Sequence, residues 1–562
     1  MAVAMAKPSV VMTVLIDDLG FADTQVHNPD TPTPHIGELA KQGITLMHLH
    51  SYLYCSPTRR SILSGRFPVH LGPQQAGTCS DFLPLQMTLI PRKLKSVGFE
   101  THMIGKGHLG YQTTDHLPAN RGFDTHVGYL GGAENYEHGL ASTCDVPQLA
   151  NLPPRPTPWI KPYNPPGQWP PDANSSNGMD PCQYDFWDGQ AGAAQAELDN
   201  VFYSTNYYAG RAVGIIQAAT KPLYIHLTWQ AVHSPYVLPD VPAPQRLQPT
   251  DPSFSNFCPP DPNPVGNVKV RCDFGSMLKV VDQGMANVTE ALTNKGFWND
   301  TLMIVSADNG GIGPGNNYPL RGTKMTPWQG GTRIMGFVTG GVVPQRLRGS
   351  KNHATLHVAD WYPTIAKLTG ADPTDTVSVW GEPRPIDGVD VWPLLMSNAT
   401  VGPHEYLPTT PFSIIWNGRW KLLTNAGPAS WFPLSRGYNA TTISANMTSW
   451  PCVGPTNKFL PPGTRCAICS DDEPCLFDLA FDEGEHQNRA ADQPQIVAQL
   501  KAELLKYAPY VNGTMEPSQL TRYECINQSA LYRKWPQQYP LHPWYGNFSG
   551  PCCRPKSAEQ SR

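Results

Sequence analysis

The chain has 562 residues, 40% of them hydrophobic and 15% charged, which is enough for a large core and for two or three domains. Its 41 basic and 45 acidic residues leave a net charge of −4. This balance argues against nucleic acid or a polybasic membrane contact as a partner. No segment approaches the ~20 consecutive apolar residues of a membrane span, so we expect no membrane-spanning helix.

In chain order the first two-thirds alternate strands and helices, a pattern typical of an α/β domain. We predict a strand at Val10–Ile16, helices at Thr33–Gln42 and Thr88–Val97, a strand at Glu100–Ile104, a helix at Ser204–Ala219, a strand at Pro222–Trp229, a helix at Phe274–Asn294, a strand at Leu302–Ser306 and a helix at His357–Thr369. A Pro-rich insert, Asn151–Asp172, lies between Cys144 and Cys182. We expect a surface loop there, closed by those two cysteines and near the substrate.

The composition changes near Ser397–Pro411. Beyond it we predict a hairpin at Ile414–Leu423, a strand at Leu476–Leu479 and a helix at Gln495–Tyr507. This pattern divides the chain into a larger N-terminal domain, residues 1–400, and a smaller C-terminal domain, residues 401–562, with a cysteine-rich extension.

The thirteen cysteines are odd in number. Without Cys55, twelve remain for disulfides. Cys466-x-x-Cys469 could be half of a zinc site or a redox pair, but no second pair supports zinc, and disulfides are favoured. Nine glycosylation sequons point to the same secretory environment, at Asn174, Asn287, Asn299, Asn398, Asn439, Asn446, Asn512, Asn527 and Asn547. We therefore predict a secretory-pathway protein, extracellular or lysosomal, although the apolar run Val10–Ile16 reads as a buried strand rather than a signal peptide.

Two acidic clusters follow predicted strands. Asp17-Asp18 comes after the first strand, and Asp308-Asn309 comes after the strand at Leu302–Ser306. Either cluster alone is most simply a turn. Because strand C-termini in α/β sheets meet at one edge, the two together favour a hard cation such as Ca²⁺ or Mg²⁺.

Four motifs occur in a diagnostic order: Asp17-Asp18, Cys55-Ser56-Pro57-Thr58-Arg59, Gly105-Lys106-Gly107-His108-Leu109-Gly110 and Asp308-Asn309-Gly310-Gly311. This order resembles the type I sulfatases of the alkaline phosphatase superfamily. The segment Asn316–Lys324 is most similar to the arylsulfatase B, or N-acetylgalactosamine-4-sulfatase, branch. The resemblance implies an alkaline-phosphatase-like fold, with a large mixed sheet flanked by helices and a smaller C-terminal domain with a short antiparallel sheet and a helix.

The resemblance also implies a reaction, the hydrolysis of aryl or carbohydrate sulfate esters. A formylglycine-generating enzyme would oxidise Cys55 to formylglycine, whose hydrated form supplies the nucleophilic hydroxyl. One Ca²⁺ would be bound by Asp17, Asp18, Asp308, Asn309 and residue 55. Arg59 and His108 would hold the diol, while Lys106, Lys324 and His233 would neutralise the sulfate, with His233 or Lys324 as proton donor.

Three residues depart from the family pattern: Thr58 stands where Ser is usual, Gly107 where Trp is common and Gln329 where Glu is usual. Two alternatives stay open. One is phosphoester hydrolysis on the same fold, which generally uses Thr or Ser as nucleophile with two zinc ions. The other is a non-catalytic sulfated-glycan-binding protein in which Cys55 is never converted.

Overall fold

The computed structural model describes residues 7–71, 82–110, 114–134, 136, 186–188, 191–192, 203–236, 266–379, 381–427, 429, 431 and 469–511. In these residues the main sheet contains eleven strands: β1 Val10–Ile16, β2 Ile44–His50, β3 Glu100–Lys106, β4 Thr125–Tyr129, β5 Trp187–Asp188, β6 Ala191–Gly192, β7 Leu223–Trp229, β8 Thr301–Ala307, β9 Arg333–Ile334, β10 Gly336–Thr339 and β11 Ser350–His357. Their order is β11-β2-β10-β8-β1-β7-β3-β4-β5-β6, with β9 paired to β2. The sheet is mixed, because β8-β1-β7-β3-β4 is parallel whereas β10 is antiparallel to both neighbours.

The centre of this sheet is covered on both faces. Every residue of β1, β7 and β8 is buried, although alternate side chains point to opposite faces. The described helices are α1 Pro34–Lys41, α2 Cys55–Ser64, α3 Ile90–Lys95, α4 Ser204–Ala218, α5 Gly266–Asn294, α6 Gln329–Thr332, α7 Trp361–Thr369, α8 Trp392–Ser397, α9 Pro494–Leu505 and α10 Ala508–Val511. Helices α1, α4 and α5 form one contacting group, and α2, α3 and α7 form another.

The parallel strands bring the two acidic clusters to the same edge of the main sheet. Ile16, the last residue of β1, lies beside Ala307 of β8 and Trp229 of β7. Asp17 and Asp308 therefore leave the sheet side by side, as the sequence predicts. The segment after β7 carries His233 to the same edge.

Strand β3 brings Lys106 to this edge through a close contact with β7. Gly105, with φ of 101°, lies against Thr228, and a Cβ there would be 2.0 Å from the Thr228 carbonyl oxygen. Only glycine fits such an approach. The Thr228 hydroxyl then donates to the carbonyl oxygen of Lys106 at 2.8 Å.

A second, antiparallel sheet follows in the order β14 Tyr406–Thr410, β15 Ser413–Trp416, β16 Trp420–Leu423 and β17 Cys475–Asp478. One face packs against α9 through a cluster that includes Leu422, Leu476 and Leu500. Other side chains of the sheet, such as Phe477, pack with Trp328 of the main body. A small hairpin, β12 Val377–Val379 with β13 Glu382–Arg384, completes the described strands. The predicted fold class is thereby confirmed; the domain boundary at residue 400 stays a prediction.

Most predicted elements are confirmed, with changed ends. Helix α5 begins eight residues earlier than predicted, and the hairpin at Ile414–Leu423 is present as β15 and β16. The helix predicted from His357 was wrong at its start, because His357 ends β11 and its side chain caps a short 3-10 turn before α7. The strands that were not predicted are β2, β4, β5, β6 and β9 to β14.

Several predictions lie outside the described residues. They include the Pro-rich insert with Cys144 and Cys182, and six of the nine sequons. The other three sequon asparagines, Asn287, Asn299 and Asn398, are exposed, as glycosylation would require. Among the helices that the structure describes, none combines the length and apolar character needed to cross a membrane.

Candidate active site

Cys55 is the first residue of helix α2 and is buried. The turn before the helix is held by Thr58, whose hydroxyl accepts a hydrogen bond from the Tyr52 backbone N–H at 3.0 Å. A serine hydroxyl could make the same bond, so Thr58 preserves the local structure of the motif. Cys55 is the free cysteine among the described residues, as the odd cysteine count suggests.

Arg59 lies one helical turn after Cys55 and is fully buried. Its Nε and Nη2 both donate to Asp308 Oδ2, at 2.9 and 2.7 Å. Its Nη1 donates to the carbonyl oxygen of Lys106 at 3.1 Å, and Nη2 lies 3.4 Å from Asp17 Oδ2. Arg59 thus connects three predicted site segments, and its charge offsets the adjacent carboxylates.

Each lysine of the predicted site is paired with one aspartate. The Lys106 ammonium donates to Asp17 Oδ2, and Lys324 Nζ donates to Asp18 Oδ1 at 2.5 Å. Asp18 Oδ1 also accepts from Asn309 Nδ2 at 2.8 Å. The structure therefore assembles both lysines, the adjacent aspartates and Asn309 into one buried network.

Two buried oxygens in this network have no protein partner: Asp17 Oδ1 and Asn309 Oδ1. A buried oxygen without a donor is costly unless a cation or a water satisfies it. Ligand atoms of Asp17, Asp18, Cys55 and His233 lie within 4.8 Å of one another. The free oxygens and the carboxylates fit a hard cation that prefers oxygen ligands.

Asp308 has a different role in the described contacts. Its Oδ2 is held by Arg59, and its Oδ1 accepts from the Asp18 backbone N–H at 3.3 Å. Asp308 does not belong to the group of possible metal ligands formed by Asp17, Asp18, Cys55 and His233. Its assignment as a calcium ligand therefore stays a prediction.

Burial and the cations act in opposite directions on the acidic groups. Burial raises the pKa of Asp17, but Lys106, His233 and Arg59 together outweigh it and hold that pKa below its usual value. Burial likewise opposes ionisation of Asp18, and Lys324 and His233 again lower its pKa overall. Both carboxylates are therefore expected to be ionised and able to bind a cation.

Burial has the larger effect on the thiol. It raises the pKa of Cys55 to about 11, although Lys106 and Lys324 act in the lowering direction. The thiol therefore stays protonated near neutral pH and is a poor nucleophile in this setting.

His233 is oriented by its surroundings. Its Nδ1 lies 2.6 Å from the carbonyl oxygen of Ser234, so Nδ1 carries a proton and donates it to this carbonyl. Its Nε2 faces Asp18 Oδ2 at 3.5 Å. The Tyr136 hydroxyl donates to the His233 carbonyl oxygen at 2.6 Å, a support that nothing in the sequence signalled.

His108 follows β3 and has a left-handed backbone, with φ of 52°. Burial and the nearby charges of Lys106 and Arg59 hold its pKa well below the usual value, so the ring is neutral. Its Nδ1 is buried without a partner in the described structure. This nitrogen is therefore available for a hydrogen bond, and the role of His108 at residue 55 stays a prediction.

The three departures from the family pattern have different surroundings. Thr58 keeps its hydroxyl contact. A Cβ at Gly107 would lie 3.1 Å from the Tyr129 carbonyl oxygen, which leaves little room there. Gln329 is buried, and its backbone N–H donates to the carboxylate of Glu485 at 2.7 Å.

Cys469 forms a disulfide with Cys475, which links the edge of β17 to the segment before it. This pairing supports the preference for disulfides at Cys469, whereas Cys466 lies outside the described residues.

Residues 9–371, more than half of the chain, match the family described as Sulfatase. The chain belongs to the sulfatase family, and its relatives place it among the type I sulfatases. That membership makes it a sulfuric ester hydrolase by class.

The chain is similar to several curated sulfatases along most of its length. It is 29% identical to arylsulfatase J of Mus musculus, over 89% of this chain and 76% of that protein. It is 24% identical to arylsulfatase A of Homo sapiens, over 93% and 92%. It is 22% identical to N-acetylgalactosamine-6-sulfatase of Mus musculus, over 91% and 90%.

Solved structures share the fold. The PsFucS1 sulfatase from Pseudoalteromonas sp. superposes with a TM-score of 0.61 at 22% identity, covering 91% of this chain and 92% of that one. Ps i-CgsB in complex with k-i-k-neocarrahexaose gives 0.62 at 20% identity, covering 94% and 97%.

Proposed function

We propose that the protein hydrolyses aryl or carbohydrate sulfate esters with a formylglycine derived from Cys55 and one bound Ca²⁺. The observation that carries this proposal is the buried network around Cys55, in which Asp17 Oδ1 and Asn309 Oδ1 have no protein partner. Asp17, Asp18, Asp308, Asn309 and residue 55 would hold the ion. Once converted, residue 55 would supply a hydroxyl that attacks sulfur, and the ion would make that hydroxyl more acidic.

The chain's own residues would do the remaining work. Arg59 and His108 would orient the group at residue 55. Lys106 and Lys324 would neutralise the sulfate oxygens as negative charge develops there. Because Arg59, Lys106 and Lys324 are already held by hydrogen bonds, little reorganisation of these three side chains would be needed when the ester binds.

His233 is the proton donor that the contacts favour. Its Nδ1–H is bonded to a backbone carbonyl, so the proton given to the leaving alcohol would come from Nε2 of the doubly protonated ring. Its side chain is 16% exposed, which gives a substrate access to it. Lys324 is the second candidate, and its ammonium contacts Asp18.

The phosphoester alternative has less support. Within the described residues there is one group of three or more metal-binding side chains, and it contains a single histidine. A two-zinc phosphatase site would need more ligands than this. The non-catalytic alternative is weakened by the retention of both lysines and both histidines.

A direct assay separates these functions. We expect the protein, expressed in a eukaryotic host, to hydrolyse p-nitrophenyl sulfate in preference to p-nitrophenyl phosphate. Chelation should abolish turnover, and Ca²⁺ should restore it better than Zn²⁺. Cys55→Ala is the matched inactive control.

Preferential phosphate hydrolysis with zinc rescue would favour the phosphoester alternative. Retention of sulfated glycans without hydrolysis of either ester would favour the binding protein.

The proposal extends to substrate and destination. A sulfated glycan is the substrate class we favour, with the N-acetylgalactosamine-4-sulfate linkage as the specific hypothesis. A formylglycine-generating enzyme would act on Cys55 during maturation. The sequons and the Cys469–Cys475 disulfide support passage through the secretory pathway to an extracellular or lysosomal destination.

A further inference from the structure

A fully buried carboxylate outside the main sheet touches the loop that carries part of the candidate site. We call residues 308–332 the catalytic loop, since it contains Asp308, Asn309 and Lys324. Glu485 follows β17 and is 0% exposed. None of the proposed chemistry uses it.

Both carboxylate oxygens of Glu485 are occupied. Oε2 accepts from the Gln329 backbone N–H at 2.7 Å, and Oε1 accepts from Lys421 Nζ at 2.7 Å. Its backbone carbonyl accepts from Arg321 Nη1 at 3.2 Å. The segment after β17 is therefore bonded to the catalytic loop at two places.

The two points of attachment, Gln329 and Arg321, are connected to each other by backbone hydrogen bonds inside the loop. The Gly330 N–H donates to the Arg321 carbonyl oxygen at 2.6 Å, and the Gly310 N–H donates to that of Gly331 at 3.1 Å. The contact is tight, since a Cβ on Gly310 would lie 1.7 Å from the Gly330 carbonyl oxygen. A shift at the start of α6 would therefore displace the backbone around Gly310.

The backbone around Gly310 fixes the positions of two site residues, Asn309 and Lys324. Gly310 directly follows Asn309, whose amide bonds Asp18. The Lys324 N–H donates to the Gly311 carbonyl oxygen at 3.2 Å. The Glu485 carboxylate is thus connected to the positions of Asn309 and Lys324 through its bond to the Gln329 N–H and through backbone contacts inside the loop.

Stability alone does not explain the buried charge pair. Burying Lys421 with Glu485 carries a desolvation cost that their attraction only partly offsets, and apolar replacements of such pairs are often neutral or stabilising. Burial lowers the pKa of Lys421 overall, although Glu485 acts in the raising direction. A role in holding the catalytic loop in place would explain why the Lys421–Glu485 pair is retained.

We propose that Glu485 is a positioning residue for the sulfatase reaction, holding the catalytic loop so that Lys324 and Asn309 face residue 55. This inference rests on the proposed function. The chain places the supporting carboxylate at position 485, beyond the family match, while position 329 carries an uncharged glutamine.

Two double variants test the proposal, and they differ in one property. Lys421→Met with Glu485→Leu removes the charges and the acceptor for Gln329. Lys421→Met with Glu485→Gln also removes the charges but keeps an acceptor oxygen. We expect the Leu variant to lose about tenfold or more in kcat on p-nitrophenyl sulfate, and the Gln variant to recover most of it, at similar Tm. Equal kcat values in the two folded variants would overturn the proposal.

Hydrogen exchange gives a second readout that needs no activity. In Lys421→Met with Glu485→Gln, which leaves no buried unpaired charge, amides of residues 321–332 should exchange about tenfold faster than in the wild type, because a charge-assisted bond becomes a neutral one. Asp478→Asn is the control, since Asp478 pairs with exposed Arg419 on the same sheet. Exchange in 321–332 that matches this control would also overturn the proposal. If the wild-type protein lacks sulfatase activity, the proposed function fails while exchange still tests the positioning.

Discussion

At the scale of single residues, the site depends on oxygens left without partners. Most buried polar atoms in proteins are hydrogen-bonded, so each exception calls for an explanation. Asp17 Oδ1 and Asn309 Oδ1 are two such exceptions in one network. A bound Ca²⁺ would explain both, whereas a purely structural network would be expected to satisfy them.

Asn309→Ala tests this reading. Loss of one ligand oxygen should raise the Ca²⁺ concentration for half-maximal activity by at least about tenfold, the scale seen when even outer-shell partners are removed. Titration calorimetry of Ca²⁺ into the metal-free protein should give the same shift.

Asn352→Ala is the control for this change. Asn352 is equally buried, and its amide bonds Ala399 and Ala354. It should lose stability but keep its Ca²⁺ requirement. An unchanged Ca²⁺ requirement in Asn309→Ala would remove Asn309 from the ligand set.

At the scale of secondary-structure elements, the sequence was sufficient to predict a strand or helix where its pattern is local. The apolar run of β1 and the Asp pair after it were predicted with the observed ends, because buried parallel strands are nearly all hydrophobic. The meeting of Asp17 and Asp308 was predicted from the rule that strand C-termini share an edge.

Long-range features could not be predicted. Strand β2 contains three polar residues, Thr45, His48 and His50, among its seven, which hides its apolar face. The pairing of β10 between β2 and β8 has no local signal. Glu485 lies more than 150 residues from its partner Gln329, and only folding brings them together.

At the scale of the whole molecule, several histidines are buried in neutral form. Burial lowers the pKa of His116, His226 and His357 to about 3 and that of His126 to about 4. In the unfolded chain each would have a pKa near the ordinary value. Protons therefore bind the unfolded state first, and stability is lost as pH falls below about 6.5.

We expect the free energy of unfolding to fall between about pH 7 and about pH 5, by up to ~2 kcal/mol for each such histidine. Urea unfolding at the two pH values measures this. In His357→Asn the free energy of unfolding should depend less steeply on pH, by the contribution of one proton. Asparagine is chosen because it can still cap the turn that His357 caps. A stability that stays level or rises on acidification would contradict the expectation.

The central claim is that the active group at position 55 is formylglycine, and mass spectrometry of the Cys55 peptide tests it most directly. Protein should be prepared with and without co-expressed formylglycine-generating enzyme, and the converted fraction compared with turnover of p-nitrophenyl sulfate. We predict that turnover rises in proportion to the converted fraction and is absent when only the thiol is found. Full sulfatase turnover from protein whose Cys55 is entirely unmodified would contradict the account.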